Sequence, residues 1–127
     1  MVSGILYTSY FSKIKNGIGD KISIARFNPK WLNENELFAW CSSLAPSKEL
    51  LNAYKYNRLT WEEYTKRYLK EIEESEKAQM DFSSICVHLI NGKDITLYCY
   101  EKPSDNCHRF LLAELFKQKG FKTKEIE

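Results

Sequence analysis

The chain has no run of apolar residues near the roughly 18 needed to cross a bilayer, and the opening MVSGILYTSY has no basic leader before its apolar residues. It therefore reads as a cytoplasmic protein with no membrane partner. It lacks charge of one sign: 19 basic and 17 acidic residues are interspersed and leave a net +2, too weak a field to draw nucleic acid, and none is expected to bind directly. With 3 prolines and 5 glycines it has no Pro/Gly/Ser linker, no low-complexity tract and no internal repeat, so residues 1–127 read as one domain with one core. There is no C-x-x-C pair among the 4 cysteines, and cytosolic thiols are expected to be reduced. Cys41 and Cys86 read as small core or surface thiols.

What is present is an alternation of short β-prone runs and amphipathic stretches. Ile5 to Thr8 and Ile22 to Ala25 read as strands, separated by a segment punctuated at Gly17 and Gly19. From Asn33 to Asn57 the spacing of Leu37, Trp40, Leu44, Leu50, Leu51 and Tyr54 suits helical pieces broken at Pro46, with Ser47 capping the second. Thr60-Trp61-Glu62-Glu63 has the form of a capping box, and Trp61, Tyr64, Tyr68 and Ile72 follow at helical spacing. Asp81 to Asn91 reads as a helix capped by Asp81 and stopped at Gly92, with an Asn91-Gly92 hairpin as the competing reading.

Ile95 to Tyr100 reads as a strand, Phe110 to Lys119 as a helix ended by Gly120, and Phe121 to Ile126 as a last strand. Strand, loop, helix, glycine, strand describes a right-handed crossover to a parallel neighbour. The expected fold is a three-layer α/β domain, a mainly parallel sheet of about four strands flanked by helices.

In such a sheet ligands bind beyond the carboxyl ends of the strands, where loops diverge and helix N-termini aim free N–H groups at the cleft. That rule selects Ser9-Tyr10, Arg26-Phe27-Asn28 and the loop Glu101 to Arg109. In the last, Cys107, His108 and Arg109 lie at the start of a helix whose dipole favours an anion or a thiolate. His108 exchanges protons near neutral pH, and Arg109 offers a planar fork to a phosphate or carboxylate. The competing reading buries Cys107 as packing, gives His108 a structural hydrogen bond and pairs Arg109 with Glu101 or Glu114. Arg26, just after a strand, is either a ligand clamp or a strut for an acidic side chain.

Zinc on Cys99, Cys107 and His108 is disfavoured, because adjacent Cys-His rarely serves one ion and no further ligand pair is in view. A redox pair is a minority reading, since Cys99 at a strand end and Cys107 at a helix start can approach across the loop. His88, alone on an apolar helix, reads as a packed or surface histidine. The three tryptophans and many tyrosines read as core in the absence of a basic stripe.

The segments LYTSYFSKIK, ISIARFNPKWL, LAPSKELLNAYK, LTWEEYTKRYLKEI and ITLYCYEKPSDNCHRFLLAEL resemble the domain of unknown function 488 family over nearly the whole chain. The resemblance implies a compact α/β domain with Arg26, Cys99, Glu101, Cys107, His108 and Arg109 on the family's motif, and no settled reaction or cofactor. The chain departs from shorter members in WLNENELFAWCSSLAP, which implies an added helix or lid beside the cleft. The layout strand, Cys99, loop, Arg109, helix also resembles a stretched rhodanese or cysteine-phosphatase loop. In that analogy Cys99 is the nucleophile, whereas the helix dipole favours Cys107.

Together these readings give an expected site for an anionic, nucleotide-like small molecule: Cys99, Cys107 and His108 as catalytic candidates, with Ser9, Arg26, Glu101 and Arg109 as ligand-binding candidates. A non-catalytic binding or sequestering module and a structural adaptor are the alternatives.

Overall fold

The computed structural model describes residues 2–100 and 106–126 of the chain. Five strands, β1 (Leu6–Tyr10), β2 (Asp20–Ser23), β3 (Ala39–Trp40), β4 (Ile95–Cys99) and β5 (Thr123–Glu125), form one sheet in the order β3-β2-β4-β1-β5. Every pairing is parallel. Four α-helices, α1 (Lys48–Lys55), α2 (Trp61–Glu74), α3 (Glu76–Ile90) and α4 (His108–Gln118), complete a three-layer α/β domain.

β4 is central and buried at all five positions, and its ITLYC run is β-branched and apolar as a strand covered on both faces requires. Alternation sends Ile95, Leu97 and Cys99 into the main core with Leu6, Ile22 and Ile24 and the buried residues of all four helices. Tyr98 points the other way, joining Phe11, Ile14, Ala25 and Leu32 under a 3-10 segment, Phe11–Asn16, and the loop after β2. Gly19, at φ 71°, makes the turn into β2, where a Cβ would lie 2.0 Å from the Asp94 carbonyl oxygen.

The capping box at Thr60 is present: Glu63 N–H donates to the threonine hydroxyl and the Glu63 carboxylate accepts from Thr60 N–H, each at 3.1 Å. Ser47 caps α1 as its position before Lys48 predicts. Several expectations need correction. The second strand begins two residues earlier than Ile22 and ends at Ser23, because Asp20 N–H is already paired with the Asp94 carbonyl. Trp40 belongs to the two-residue edge strand β3 rather than to a helix, with its indole N–H donating to the Ala25 carbonyl at 2.8 Å.

The third correction is that Ser75, not Asp81, caps α3; Asp81 lies in the second turn, accepting from Lys77 and from the Ser43 hydroxyl. Asn91-Gly92 closes that helix and makes no hairpin, with Gly92 at φ 87°. Last, β5 pairs with β1 and not with its sequence neighbour β4, so the final crossover passes over one strand. The residues 31–46 insert supplies β3 and two 3-10 turns in place of an added helix or lid, and it leaves Trp31, Phe38 and Trp40 exposed.

Tyr68 on α2 joins helix layer to insert. Its hydroxyl donates to the Leu44 carbonyl at 2.6 Å, with both residues fully buried. Tyr68→Phe keeps the ring and orphans the carbonyl, so urea unfolding is expected to register a loss of about 1–3 kcal/mol. A loss under about 0.5 kcal/mol would mean that water replaces the hydroxyl there.

Candidate functional site

Cys99 ends β4 with its side chain on the helix face, and Cys107 is the N-cap of α4, so one strand end and one helix start deliver both sulfurs to the same point. The two Sγ atoms are in disulfide contact. Both residues are buried, as are His108 and Arg109 behind them.

His108 Nε2 lies 2.7 Å from the Ile24 carbonyl oxygen. A carbonyl only accepts, so Nε2 carries the proton and Nδ1 keeps its lone pair, which faces Cys107 Sγ at 3.7 Å. Burial holds the imidazole pKa down to about 4, against the upward pull of the Ile24 carbonyl and with a further push down from Arg109. At neutral pH the ring is an uncharged acceptor next to the Cys107 sulfur.

Arg109 is fully buried in the first turn of α4. Its Nε and Nη2 donate to the two carboxylate oxygens of Glu125 at 3.1 and 2.9 Å, and its Nη1 donates to Cys99 Sγ at 3.1 Å. The guanidinium also stacks on Phe110, 4.4 Å from the ring centroid. Glu125 in turn accepts from the Thr8 hydroxyl at 2.6 Å. The cation is thereby fixed and aimed at the Cys99 sulfur.

The sulfurs lie at the bottom of a cleft of about 860 Å³ beyond the carboxyl ends of β2 and β4. One wall is Ala25, Arg26 and Phe27 after β2, with Tyr100 and Asn106 after β4. The other is α1, which presents Lys48, Leu51, Asn52 and Lys55, a stripe at i, i+3, i+4 and i+7, and Tyr54, with Tyr64 of α2 alongside. Arg26 Nε and Nη2 both donate to the Pro46 carbonyl, at 3.2 and 3.1 Å, which sets that guanidinium against the turn leading into α1. Among the described residues the lining holds three cations, Arg26, Lys48 and Lys55, and no carboxylate.

Of the residues expected at the site, Cys99, Cys107, His108 and Arg26 line this cleft. Arg109 does not; it stands behind Cys99 and is tied to Glu125, and among the described residues it makes no ion pair with Glu114. Ser9 is buried in β1, its hydroxyl donating to the Ile126 carbonyl, and it is absent from the lining. Glu101 lies outside the described residues, as does most of the loop compared with an anion-wrapping one. His88 sits edge-on to Phe38, away from the cleft. The insert contributes none of the lining side chains.

Lys48, Asn52 and Lys55 were absent from the expected set, although their common stripe was there to be read; Leu50 marks the packed face of the same helix, while Leu51 and Tyr54 line the cleft. Glu125 carries no local signal at all, since β5 reaches Arg109 only through the strand order. Cys99, Cys107 and His108 also offer a metal three donor atoms within 4.8 Å of one another. The guanidinium bonded to Cys99 sets a fixed positive charge against any cation there, so the donor set fits a thiolate better than a metal.

Residues 5–120 match the family model described as the active DUF488-N3 subclade. No curated protein and no solved structure matches the chain. No helix among the described residues is long and apolar enough to cross a membrane.

Proposed function

The chain belongs to the DUF488 family, and from that premise we propose that it is a cytoplasmic thiol-dependent enzyme acting on an anionic small molecule. The ligand occupies the cleft between α1 and the ends of β2 and β4. The observation that carries this reading is the pairing of a buried guanidinium with the Cys99 sulfur at the bottom of a cleft lined by three cations and no described carboxylate. In the reduced chain Arg109 stabilises a Cys99 thiolate, which attacks the electrophilic centre of a ligand held by Arg26, Lys48 and Lys55; the bond from sulfur forms as the bond to the leaving group breaks, and that group departs with the electron pair and takes a proton from water. In the reduced site the neutral His108 ring accepts a hydrogen bond from the Cys107 thiol at Nδ1. While the two sulfurs are joined neither attacks, so turnover requires reduction by a dithiol, which adds two electrons and two protons.

The test is alkylation of each cysteine in the reduced chain, followed by mass spectrometry at pH 6.5 and 8.5. A free thiol slows by about 50-fold over that interval, whereas Cys99 is expected to slow by less than about 5-fold. Cys41 is the internal control, its thiol pushed up to about 11 by burial and by the Asp81 carboxylate against a weaker pull from Lys77. Inorganic pyrophosphate is expected to protect Cys99 and not Cys41. If Cys99 slows like a free thiol and pyrophosphate protects nothing, the thiol reading and the anion reading both fail.

A non-catalytic binding module is favoured by one fact, the near-complete burial of Cys99 and Cys107 at 1% and 2% exposure. It predicts pyrophosphate binding that survives Cys99→Ala with no fast-reacting thiol in the parent chain. An adaptor role is favoured by the exposure of Trp31, Phe38 and Trp40, and it predicts no ligand in the cleft.

A further inference from the structure

Resting on the anion reading above, we infer that the ligand is a mononucleotide, lying along α1 with its phosphate at the Arg26 and Lys48 end and its base at the Tyr54 and Asn106 end. The cleft differs chemically along its length. At the start of α1, Lys48 is the first helical residue, and Arg26 is held there by its two hydrogen bonds to the Pro46 carbonyl. Two cations against one turn suit a dianion; the N–H and hydroxyl of Ser47 in that turn are held by the Glu71 carboxylate, so the two side chains and not the helix terminus supply the positive charge.

At the other end of α1 the chemistry is aromatic and amide. Tyr54 packs on Tyr64 with ring centroids 5.0 Å apart and on Trp61 at 5.6 Å, and its hydroxyl accepts from the Asn106 side chain at 3.2 Å. Tyr100 and Phe27, 50% and 63% exposed, rise from the strand ends opposite. Aromatic faces bind any base by stacking, and a side-chain amide, donor and acceptor together, reads a base edge.

Lys48 and Lys55 are seven residues apart, about 10 Å along the helix axis, with Asn52 between them on the same stripe. That spacing is of the order of a whole mononucleotide from phosphate to base, longer than a phosphate alone. Bare phosphate or a small dicarboxylate leaves most of a cleft of about 860 Å³ unfilled and the aromatic end idle. A nucleic-acid strand needs a basic track running out of the cleft, and the net charge of +2 with both signs interspersed does not provide one.

Titration calorimetry of the reduced chain with inorganic phosphate, the four common ribonucleosides and their 5′-monophosphates tests this. At least one mononucleotide is expected to bind about tenfold or more tighter than both phosphate and its own nucleoside. Exposed Lys48 is replaceable without touching the core: Lys48→Ala is expected to weaken that mononucleotide about tenfold, one charge-assisted hydrogen bond lost, and to leave the nucleoside unchanged. Phe27→Ala is expected to weaken nucleotide and nucleoside alike. If phosphate binds and no mononucleotide binds tighter, the nucleotide assignment is overturned while the anion reading stands. If no probe binds, both are overturned. A mononucleotide that binds equally well to the parent, Lys48→Ala and Arg26→Ala chains overturns the placement proposed here.

Discussion

On lowering the pH from 7 to 4.5, the folded chain is expected to lose up to about 3 kcal/mol of stability through His108 alone. The ring is fully enclosed against Tyr68 and the Ile24 carbonyl, and burial holds its folded pKa at about 4 against an ordinary value of 6.5. Between those two values the unfolded chain binds a proton that the folded chain does not. Unfolding free energy therefore rises with pH across this window: the contribution is complete above the unfolded pKa and drains away as the pH falls toward 4. The gap of about 2.5 pH units, at about 1.4 kcal/mol each, sets the ceiling.

Urea melts at pH 7, 6, 5 and 4.5 on the parent and on His108→Asn check it, because the side-chain carboxylates titrate similarly in both chains and cancel in the difference. The parent curve should fall more steeply, and the two should converge toward pH 4.5. Parallel curves would mean that the imidazole is hydrated in solution. The same pKa fixes the chemistry proposed for the site, since a ring that stays neutral through the physiological range keeps Nδ1 as an acceptor for the Cys107 thiol.

The centre of this molecule was legible in its sequence, and the edges were not. β4 is a β-branched and apolar run buried on both faces, β1 is a β-prone run beside it with three of five positions buried, and α2 and α4 carry clean helical stripes with a capping box or a terminal glycine. In each, local pattern and tertiary demand agree. β3 is two residues at an edge, too short for any period to emerge, and the apolar spacing of Leu37, Trp40 and Leu44 imitates a helix because the insert packs at intervals without being one. Asp81 looked like a cap because it precedes an apolar stripe; Ser75, six residues earlier, wins because the polar first turns of α3 cost nothing in water.

At the site, the meeting of Cys99, Cys107 and His108 follows from a general property of parallel sheets, that a strand end and the next helix start share one rim. Nothing local states which way Arg109 points. Its partner Glu125 lies on β5, and β5 sits beside β1 for reasons of topology, so the ion pair is invisible until the strand order is known. The α1 stripe was legible in principle: apolar spacing reaches Leu51 and Tyr54 on the cleft wall, but it passes over the polar Lys48, Asn52 and Lys55 between and beside them.

Arg109→Met is expected to cost about 3–5 kcal/mol, the loss that follows when one member of a buried ion pair is removed and the other is left behind. Arg109 is completely buried and Glu125 is 18% exposed, so after the change the carboxylate keeps the Thr8 hydroxyl and partial access to water. That residual solvation places the expected cost at the lower end, near 3 kcal/mol, or about 10 °C in melting temperature for a domain of this size. Arg109→Lys should recover little, because an ammonium cannot span two carboxylate oxygens and the Cys99 sulfur at once. The double variant Arg109→Met with Glu125→Leu should be more stable than Arg109→Met alone, since no charge is then stranded. Thermal melts of the four chains decide between a strut and a clamp. A strut gives this pattern of coupled losses; a ligand clamp gives single variants that melt like the parent and bind pyrophosphate less tightly. Because the same guanidinium donates to Cys99, the strut outcome carries a chemical consequence: Arg109→Met should also slow alkylation of Cys99 at pH 6.5 under conditions where the variant is still folded, while Cys41 reacts as before. Slowing at Cys99 without a change in melting temperature would instead assign the arginine to the thiolate alone and leave Glu125 a bystander.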